Sequence, residues 1–175
     1  GMVISPCMRD DEAILLRGAE RFASTRGYAR TLAYAGPLRD PAPRLPDGSP
    51  DTEIVAFDAV PFAYDRTLPQ YGEAGLLREV NKARAAFLRD ARNLPVATGN
   101  WGCGAFGGDP QLKAVIQWIA ASAEGRAVRY CTFGDARVEG LDRFVDAARA
   151  RFDVGGLWQW VAAEARPGIF GRLVG

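Results

Sequence analysis

Short apolar runs recur along this chain at intervals that fit strands. A strand places successive side chains on opposite faces of a sheet, or buries both faces, so short apolar or alternating runs predict β-structure. The runs that meet this description are residues 13–16, 30–34, 53–59, 94–98 and 128–133. The segment 19–27, between the first two runs, lacks such a pattern and is predicted to be a surface excursion.

Four longer segments show the helical period instead. Apolar residues recur every three or four positions in 73–92, 109–125, 138–152 and 157–165. This spacing predicts amphipathic helices laid on a sheet. Strands that alternate with helices predict an α/β layer architecture. Because 175 residues with 48% hydrophobic content suffice for one core, residues 1–175 are predicted to form a single domain.

The charge balance narrows the choice of partners. The chain has 22 basic and 21 acidic residues, spread along its whole length, for a net charge of +1. Proteins that bind the phosphate backbone of a duplex usually carry a stripe of basic residues, and this sequence has none. Duplex nucleic acid is therefore not expected as a partner. Residues 1–6 show neither the basic nor the apolar region of an export signal, and no apolar run reaches membrane-spanning length. We therefore expect a cytoplasmic protein with no membrane partner.

The absence of histidine restricts the chemistry. Ser-His-Asp triads, Cys-His dyads and histidine zinc sites are excluded. The three cysteines share no CxxC spacing, so neither a disulfide framework nor a metal site is expected, and no cofactor is expected either. If the protein catalyses a reaction, carboxylates, a cysteine or the ligand itself must move the protons.

A glycine-rich loop, residues 99–108, separates a predicted strand from a predicted helix. Asp109 is a good helix N-cap and Pro110 a good first helical residue. Such a loop can direct several backbone N–H groups and the positive end of a helix dipole at one point, so phosphate is its natural ligand. A tight structural turn is the simpler interpretation and remains open at this stage.

Residues 102–107 of this loop also satisfy the pattern GxGxxG. A nicotinamide or flavin oxidoreductase would need an acidic residue at the end of the next strand, about 20 residues further on. Here the acidic residue at the end of that strand is Asp135, which lies too far along the chain. The motif also leaves room for only one further strand. The oxidoreductase interpretation therefore fits the sequence poorly.

The motifs around the loop are specific to one family. Residues 96–109, 112–114 and 130–135 are similar, almost word for word, to the poly(ADP-ribose) glycohydrolase family. Upstream motifs follow in that family's order and spacing, at residues 18–22, 27–29, 52–59 and 78–83. The resemblance covers most of the chain, from Asp11 to Phe152.

The resemblance implies a macrodomain-like, three-layer α/β/α fold with a mixed sheet and a cleft for ADP-ribose. It implies hydrolysis of the ribose–ribose bonds of poly(ADP-ribose), which would make ADP-ribose or its polymer the partner. The family's site residues carry over to Tyr28, which would fold over the ligand, Asn100, which would touch it, and Phe133, which would stack on the adenine. The diphosphate would lie on the loop residues Gly102, Cys103, Gly104, Ala105, Phe106 and Gly107, with Phe106 lining the ribose end.

One family feature has no counterpart in these residues. The family's catalytic glutamate lies in a Gln-Glu-Glu tripeptide upstream of the matched segment, and this sequence contains no Gln-Glu-Glu. We therefore assign no catalytic residue here and expect the first strands and accessory helices of the fold to be missing. Two further interpretations follow: a catalytically inactive ADP-ribose-binding module, and a homo-oligomer formed through an exposed sheet edge.

Overall fold

The computed structural model describes residues 8–27, 29–65 and 67–175. The strands in this part of the chain are β1 (Ile14–Arg17), β2 (Ala23–Arg26), β3 (Ala33–Pro37), β4 (Glu53–Ala56), β5 (Val96–Gly99) and β6 (Val128–Cys131). The helices are α1 (Glu73–Ala86), α2 (Pro110–Ala123), α3 (Leu141–Arg151), α4 (Val154–Glu164) and α5 (Ile169–Val174). Short 3₁₀ helices lie at Ala29–Thr31 and Ala136–Val138.

The strands form three two-stranded sheets within the described residues. β1 pairs with β4 and β2 pairs with β3, both antiparallel. β5 and β6 are parallel, with Gly99 opposite Cys131, and α2 makes the crossover between them. The predicted α/β class is confirmed. The loops that leave β5 and β6 start from the same edge of this parallel pair, which places them side by side.

α2 is the central helix, and its ends follow from local chemistry. The Asp109 side chain accepts hydrogen bonds from the N–H groups of Gln111 and Leu112, and Pro110 occupies the first helical position. The helix ends before Gly125, whose φ of +65° suits glycine. The predicted helix over 109–125 is therefore confirmed.

The core is centred where α1 packs on α2. Leu76, Ala83 and Phe87 come from the α1 segment and face Val115 and Ile116 of α2, and all five side chains are buried. Burial of each large side chain is worth about 1.5–3 kcal/mol relative to exposure. On the other side of α2, the ring of Phe144 stacks on Phe170 with their centroids 4.9 Å apart, which ties α3 to α5.

Some predicted boundaries were wrong. β3 begins at Ala33 rather than at residue 30, and β2 lies inside the segment predicted as an excursion, because pairing between these two strands supplies order that a weak local pattern does not show. α1 ends at Ala86 rather than at residue 92. There the Asp90 side chain accepts hydrogen bonds from the N–H groups of Arg92 and Asn93, which competes with the helical pattern.

No helix among the described residues combines the length and the apolar character that a membrane crossing requires.

Candidate functional site

The glycine loop is folded tightly against the protein on one side. The N–H of Gly108 donates to the carbonyl of Gly102 across 2.9 Å, which closes the loop on itself. Gly102 and Gly107 have φ values of +74° and +72°, a region that favours glycine. A methyl group at Gly102 would lie 2.6 Å from Cβ of Ala59, and one at Gly107 would lie 3.0 Å from Cβ of Ala63. These two glycines are therefore required by the fold itself.

The other side of the loop is open. A methyl group at Gly104 would meet no atom within 4 Å, and residues 104–107 are all exposed. The N–H groups of Gly104, Ala105 and Phe106 have no hydrogen-bond partner within the described residues. Successive unpaired N–H groups beside a helix N-terminus form a concave site that suits an anion.

Phe106 marks one end of this open surface. Its ring meets the ring of Tyr64 edge to face, with centroids 6.2 Å apart, and 38% of its surface remains exposed. The carbonyl of Phe106 accepts a hydrogen bond of 2.9 Å from the N–H of Ala63. The segment 60–65 thus supports the loop from the side and holds Phe106 at its rim.

Phe133 marks the other end. β6 ends at Cys131 rather than at the predicted residue 133, because Phe133 takes a φ of +52°, which is unfavourable for a residue with a side chain. Its ring is 90% exposed. A methyl group at Gly99 would lie 3.3 Å from Cε2 of Phe133, so this ring stands directly beside the start of the glycine loop. Strained backbone conformations cluster at functional sites, so this exposed ring marks a candidate binding surface.

A chain of hydrogen bonds connects the two loops. The hydroxyl of Tyr130 donates to Oδ1 of Asn100 across 2.7 Å, and Nδ2 of Asn100 donates to Oδ2 of Asp135 across 2.7 Å. Arg137 donates to both oxygens of Asp135, and this pairing holds the pKa of Asp135 below its usual range. Both polar ends of the Asn100 amide are engaged, so in this arrangement Asn100 positions the loops relative to each other.

Cys103 lies at the base of the loop with its side chain 4% exposed. Burial raises the pKa of its thiol to about 12, so the reactive thiolate is scarce at neutral pH. The Cys103 side chain therefore packs inside the loop, and its backbone N–H donates to the carbonyl of Asn100 across 3.1 Å.

The structure brings most of the sequence-derived site residues together. Gly102 to Gly107 form the loop, and Asn100 and Phe133 flank it on the β5 and β6 sides. Tyr28 lies outside the described residues. No group of histidine, cysteine and acidic side chains that could hold a metal ion occurs among the described residues.

The carboxylates near the loop are all held by other groups. Asp109 caps α2 and accepts a 2.8 Å hydrogen bond from the hydroxyl of Tyr71. Asp58 pairs with Arg78 and with Lys82, and these partners lower its pKa despite the opposing effect of burial. A general acid needs a raised pKa near neutrality, and the arginine and lysine partners of Asp58 act in the opposite direction.

Sequence reasoning missed a group of buried charges beneath the loop. The side chains of Lys82, Lys113 and Glu79 are at most 1% exposed, although charged residues on amphipathic helices usually face solvent. A signal was present, since Lys113 interrupts the apolar run from Leu112 to Ile116.

Comparison with known families decides the identity of the fold. The family model described as "Poly (ADP-ribose) glycohydrolase (PARG), Macro domain fold" matches residues 1–140. The chain belongs to the poly(ADP-ribose) glycohydrolase family. The macrodomain fold implied by the sequence motifs is thereby confirmed. The two loops that follow β5 and β6 lie within the matched residues.

Individual family members show the extent of the match. The Arabidopsis thaliana protein named "Probable poly(ADP-ribose) glycohydrolase 2" is 32% identical over 91% of this chain and 38% of its own length. Poly(ADP-ribose) glycohydrolase 1 of the same plant is 32% identical over 90% of this chain and 41% of its own length. Poly(ADP-ribose) glycohydrolase 1 of Caenorhabditis elegans is 36% identical over 77% of this chain. The chain thus spans less than half the length of these curated relatives.

Proposed function

We propose that this protein binds the ADP-ribose units of poly(ADP-ribose) between the glycine loop and Phe133 and serves the hydrolysis of their ribose–ribose bonds. One observation carries the proposal. The exposed ring of Phe133, held at a φ of +52°, stands beside a loop that presents three consecutive unpaired N–H groups among the described residues. The flat hydrophobic ring can stack on a base, and the adjacent N–H groups can bind a diphosphate. A base linked to a diphosphate therefore suits both.

The diphosphate would lie on the open side of the loop. The N–H groups of Gly104, Ala105 and Phe106 would donate to its oxygens, and the N-terminus of α2 adds its positive dipole. Gly104 allows close approach because no side chain stands between its backbone and the ligand. The adenine would stack on Phe133, and the distal ribose would lie against Phe106.

Hydrolysis needs a carboxyl group that protonates the leaving ribose oxygen. The acidic side chains near the loop that the structure describes act as helix caps or as partners of arginine and lysine. This observation motivates a second candidate function, in which residues 1–175 bind ADP-ribose without cleaving the polymer.

Calorimetry with ADP-ribose tests the binding that both candidates share. We expect saturable heat with the diphosphate ligand and a much weaker response with adenosine, which lacks the phosphates. No detectable heat at millimolar ADP-ribose would reject the binding site. Release of ADP-ribose from the polymer, assayed on the same preparation, then separates hydrolysis from binding alone.

We also propose that a second copy of the chain covers an exposed sheet edge. β5 pairs only with β6 among the described strands, and its other edge lines a groove of about 410 Å³ together with one face of the β1–β4 sheet. An uncovered edge can pair with another chain. The groove's apolar floor includes Leu15, Val55 and Val96. Light scattering tests this: a monomer at high concentration would exclude self-association.

A further inference from the structure

The point where the glycine loop closes on itself lies against a buried side chain, that of Lys113 in the first turn of α2. A methyl group at Gly102 would lie 3.3 Å from Nζ of Lys113, and one at Gly108 would lie 3.1 Å from its Cε. These are the two glycines that the hydrogen bond across the loop joins. The end of the lysine side chain therefore fills the space directly beneath the point where the loop closes.

Lys113 also contacts the aromatic residue that opens the loop. Its Nζ lies 3.7 Å from the centroid of the Trp101 ring, within range of a cation–π interaction. The indole N–H of Trp101 donates to the carbonyl of Phe57. The lysine thus touches both the start and the closing point of the loop.

The carboxylate of Glu79 completes the contact and extends it. Lys113 and Glu79 form an ion pair in which each side chain is 1% exposed. Oε1 of Glu79 also accepts a hydrogen bond of 3.2 Å from the N–H of Val60. Val60 lies between Ala59 and Ala63, whose atoms would meet a methyl group at Gly102 or Gly107. The ion pair therefore connects α1, α2, the loop and the segment that supports it.

Stability alone does not explain a lysine at this position. Burial lowers the pKa of Lys113 to about 6, and the neighbouring Arg78 lowers it further, while the carboxylate of Asp58 raises it. The ammonium form therefore depends on nearby carboxylates, of which Glu79 is in direct contact. Apolar side chains of similar volume often replace buried ion pairs without loss of stability. A charged pair here is better explained by the geometry that it imposes on the loop.

We propose that Lys113, held by Glu79, is a positioning residue that sets the closed shape of the glycine loop and so aligns its N–H groups for the diphosphate. The proposal rests on the function proposed above for what the loop binds. The lysine stands behind the loop, on the side opposite the open surface, and so acts through the backbone of Gly102 and Gly108.

A second buried lysine provides a matched control. Lys82 in α1 is 0% exposed, pairs with Asp58 across 2.8 Å and donates to the carbonyls of Arg9 and Glu12. Its hydrogen bonds reach the carbonyls of residues 9 and 12 rather than the glycine loop, and its link to Glu79 is indirect, through Asp58 and Arg78. Lys82→Met and Lys113→Met therefore remove the same group from equally buried sites, but only one of them lies under the loop.

The test compares these two variants by amide NMR and by calorimetry with ADP-ribose. We expect Lys113→Met to shift or broaden the N–H signals of residues 101–108 and to weaken ADP-ribose binding at least tenfold. Lys82→Met should leave both the loop signals and the affinity within about twofold of the parent, while thermal unfolding reports comparable losses of stability for the two variants. Glu79→Gln keeps the volume and a possible acceptor for Val60, so it serves as a milder variant if Lys113→Met does not fold.

Different results would overturn different claims. A folded Lys113→Met protein with unchanged loop signals and parental affinity would overturn the positioning role. Equal loss of affinity in both lysine variants would also overturn it, because general destabilisation would then be the cause. If the parent protein binds no ADP-ribose, the proposed function fails, and the loop signals still decide whether Lys113 shapes the loop.

Discussion

Two phenylalanines show how differently the helical core and the loop edge use the same side chain. Phe144 in α3 is 0% exposed and stacks on Phe170, while Phe133 is 90% exposed and held at a positive φ. Burial accounts fully for Phe144, because the ring is removed from water. Burial within the described residues does not account for the position of Phe133, which fits the ligand contact proposed above.

The largest expected effect is on stability and falls on the core residue. Phe144→Ala should lower the free energy of unfolding by about 3–5 kcal/mol, because it leaves a cavity between α3 and α5. Phe133→Ala should change it by less than about 0.5 kcal/mol, as is usual for exposed positions. Urea denaturation of both variants measures the contrast. Similar losses would show that Phe133 belongs to the core in solution.

The second contrast lies within the glycine loop. Gly102→Val should destabilise the protein by about 2–4 kcal/mol, since it combines a positive φ with a collision against Ala59. A Cβ at Gly104 would meet no atom within 4 Å, so Gly104→Val should leave stability near the parent value while its side chain blocks the diphosphate. Thermal unfolding together with ADP-ribose titration tests the pair. Normal binding by a folded Gly104→Val protein would move the ligand away from the loop.

The third prediction concerns affinity at the exposed ring. Phe133→Ala should weaken ADP-ribose binding by about 1–3 kcal/mol, the usual scale for loss of stacking between a base and an aromatic ring. Binding of pyrophosphate should change little, because it has no base. Calorimetry with both ligands makes the distinction, and an unchanged ADP-ribose affinity would remove Phe133 from the site.

The smallest effect concerns the hydrogen bonds that join the two loops. The pKa of Asp135 is lowered in the folded protein, chiefly by Arg137, so its stabilising contribution is present above the unfolded pKa of about 3.9. That contribution is lost as the pH falls through the lower folded value. Asp135→Asn should therefore have a lower free energy of unfolding than the parent at pH 7, and the difference between the two proteins should shrink below about pH 4. A difference independent of pH would attribute the effect to packing.

The sequence predicted the parts of the fold whose signals are local. Asp109, Pro110 and Gly125 mark the ends of α2, and an apolar stripe marks its buried face. β2 was missed because its four residues show no apolar alternation and depend on pairing with β3. Local patterns also treat lysine as a surface residue, so the burial of Lys82 and Lys113 was not foreseen.

The candidate site was predictable for a different reason. The pattern of glycines before a helix indicates an anion site on physical grounds, but only the family motifs connected it with Phe133, which lies some distance along the chain. No local rule anticipates the positive φ of Phe133 or the bridge that Asn100 makes between Tyr130 and Asp135. Those features depend on two strands being neighbours, which the sequence pattern alone did not establish.

The parallel pairing of β5 with β6 has a consequence for the breadth of the cleft. Neighbouring strands lie about 4.8 Å apart. Gly99 and Cys131, the last residues of β5 and β6, lie directly opposite each other. The distance between the starts of the two loops is therefore set by the backbone pairing of β5 with β6, which a side-chain substitution does not change. If the loop binds a polymer unit as proposed, a bulkier or longer unit would have to be accommodated farther out, around Tyr64 and Phe106, because the spacing at the base stays constant.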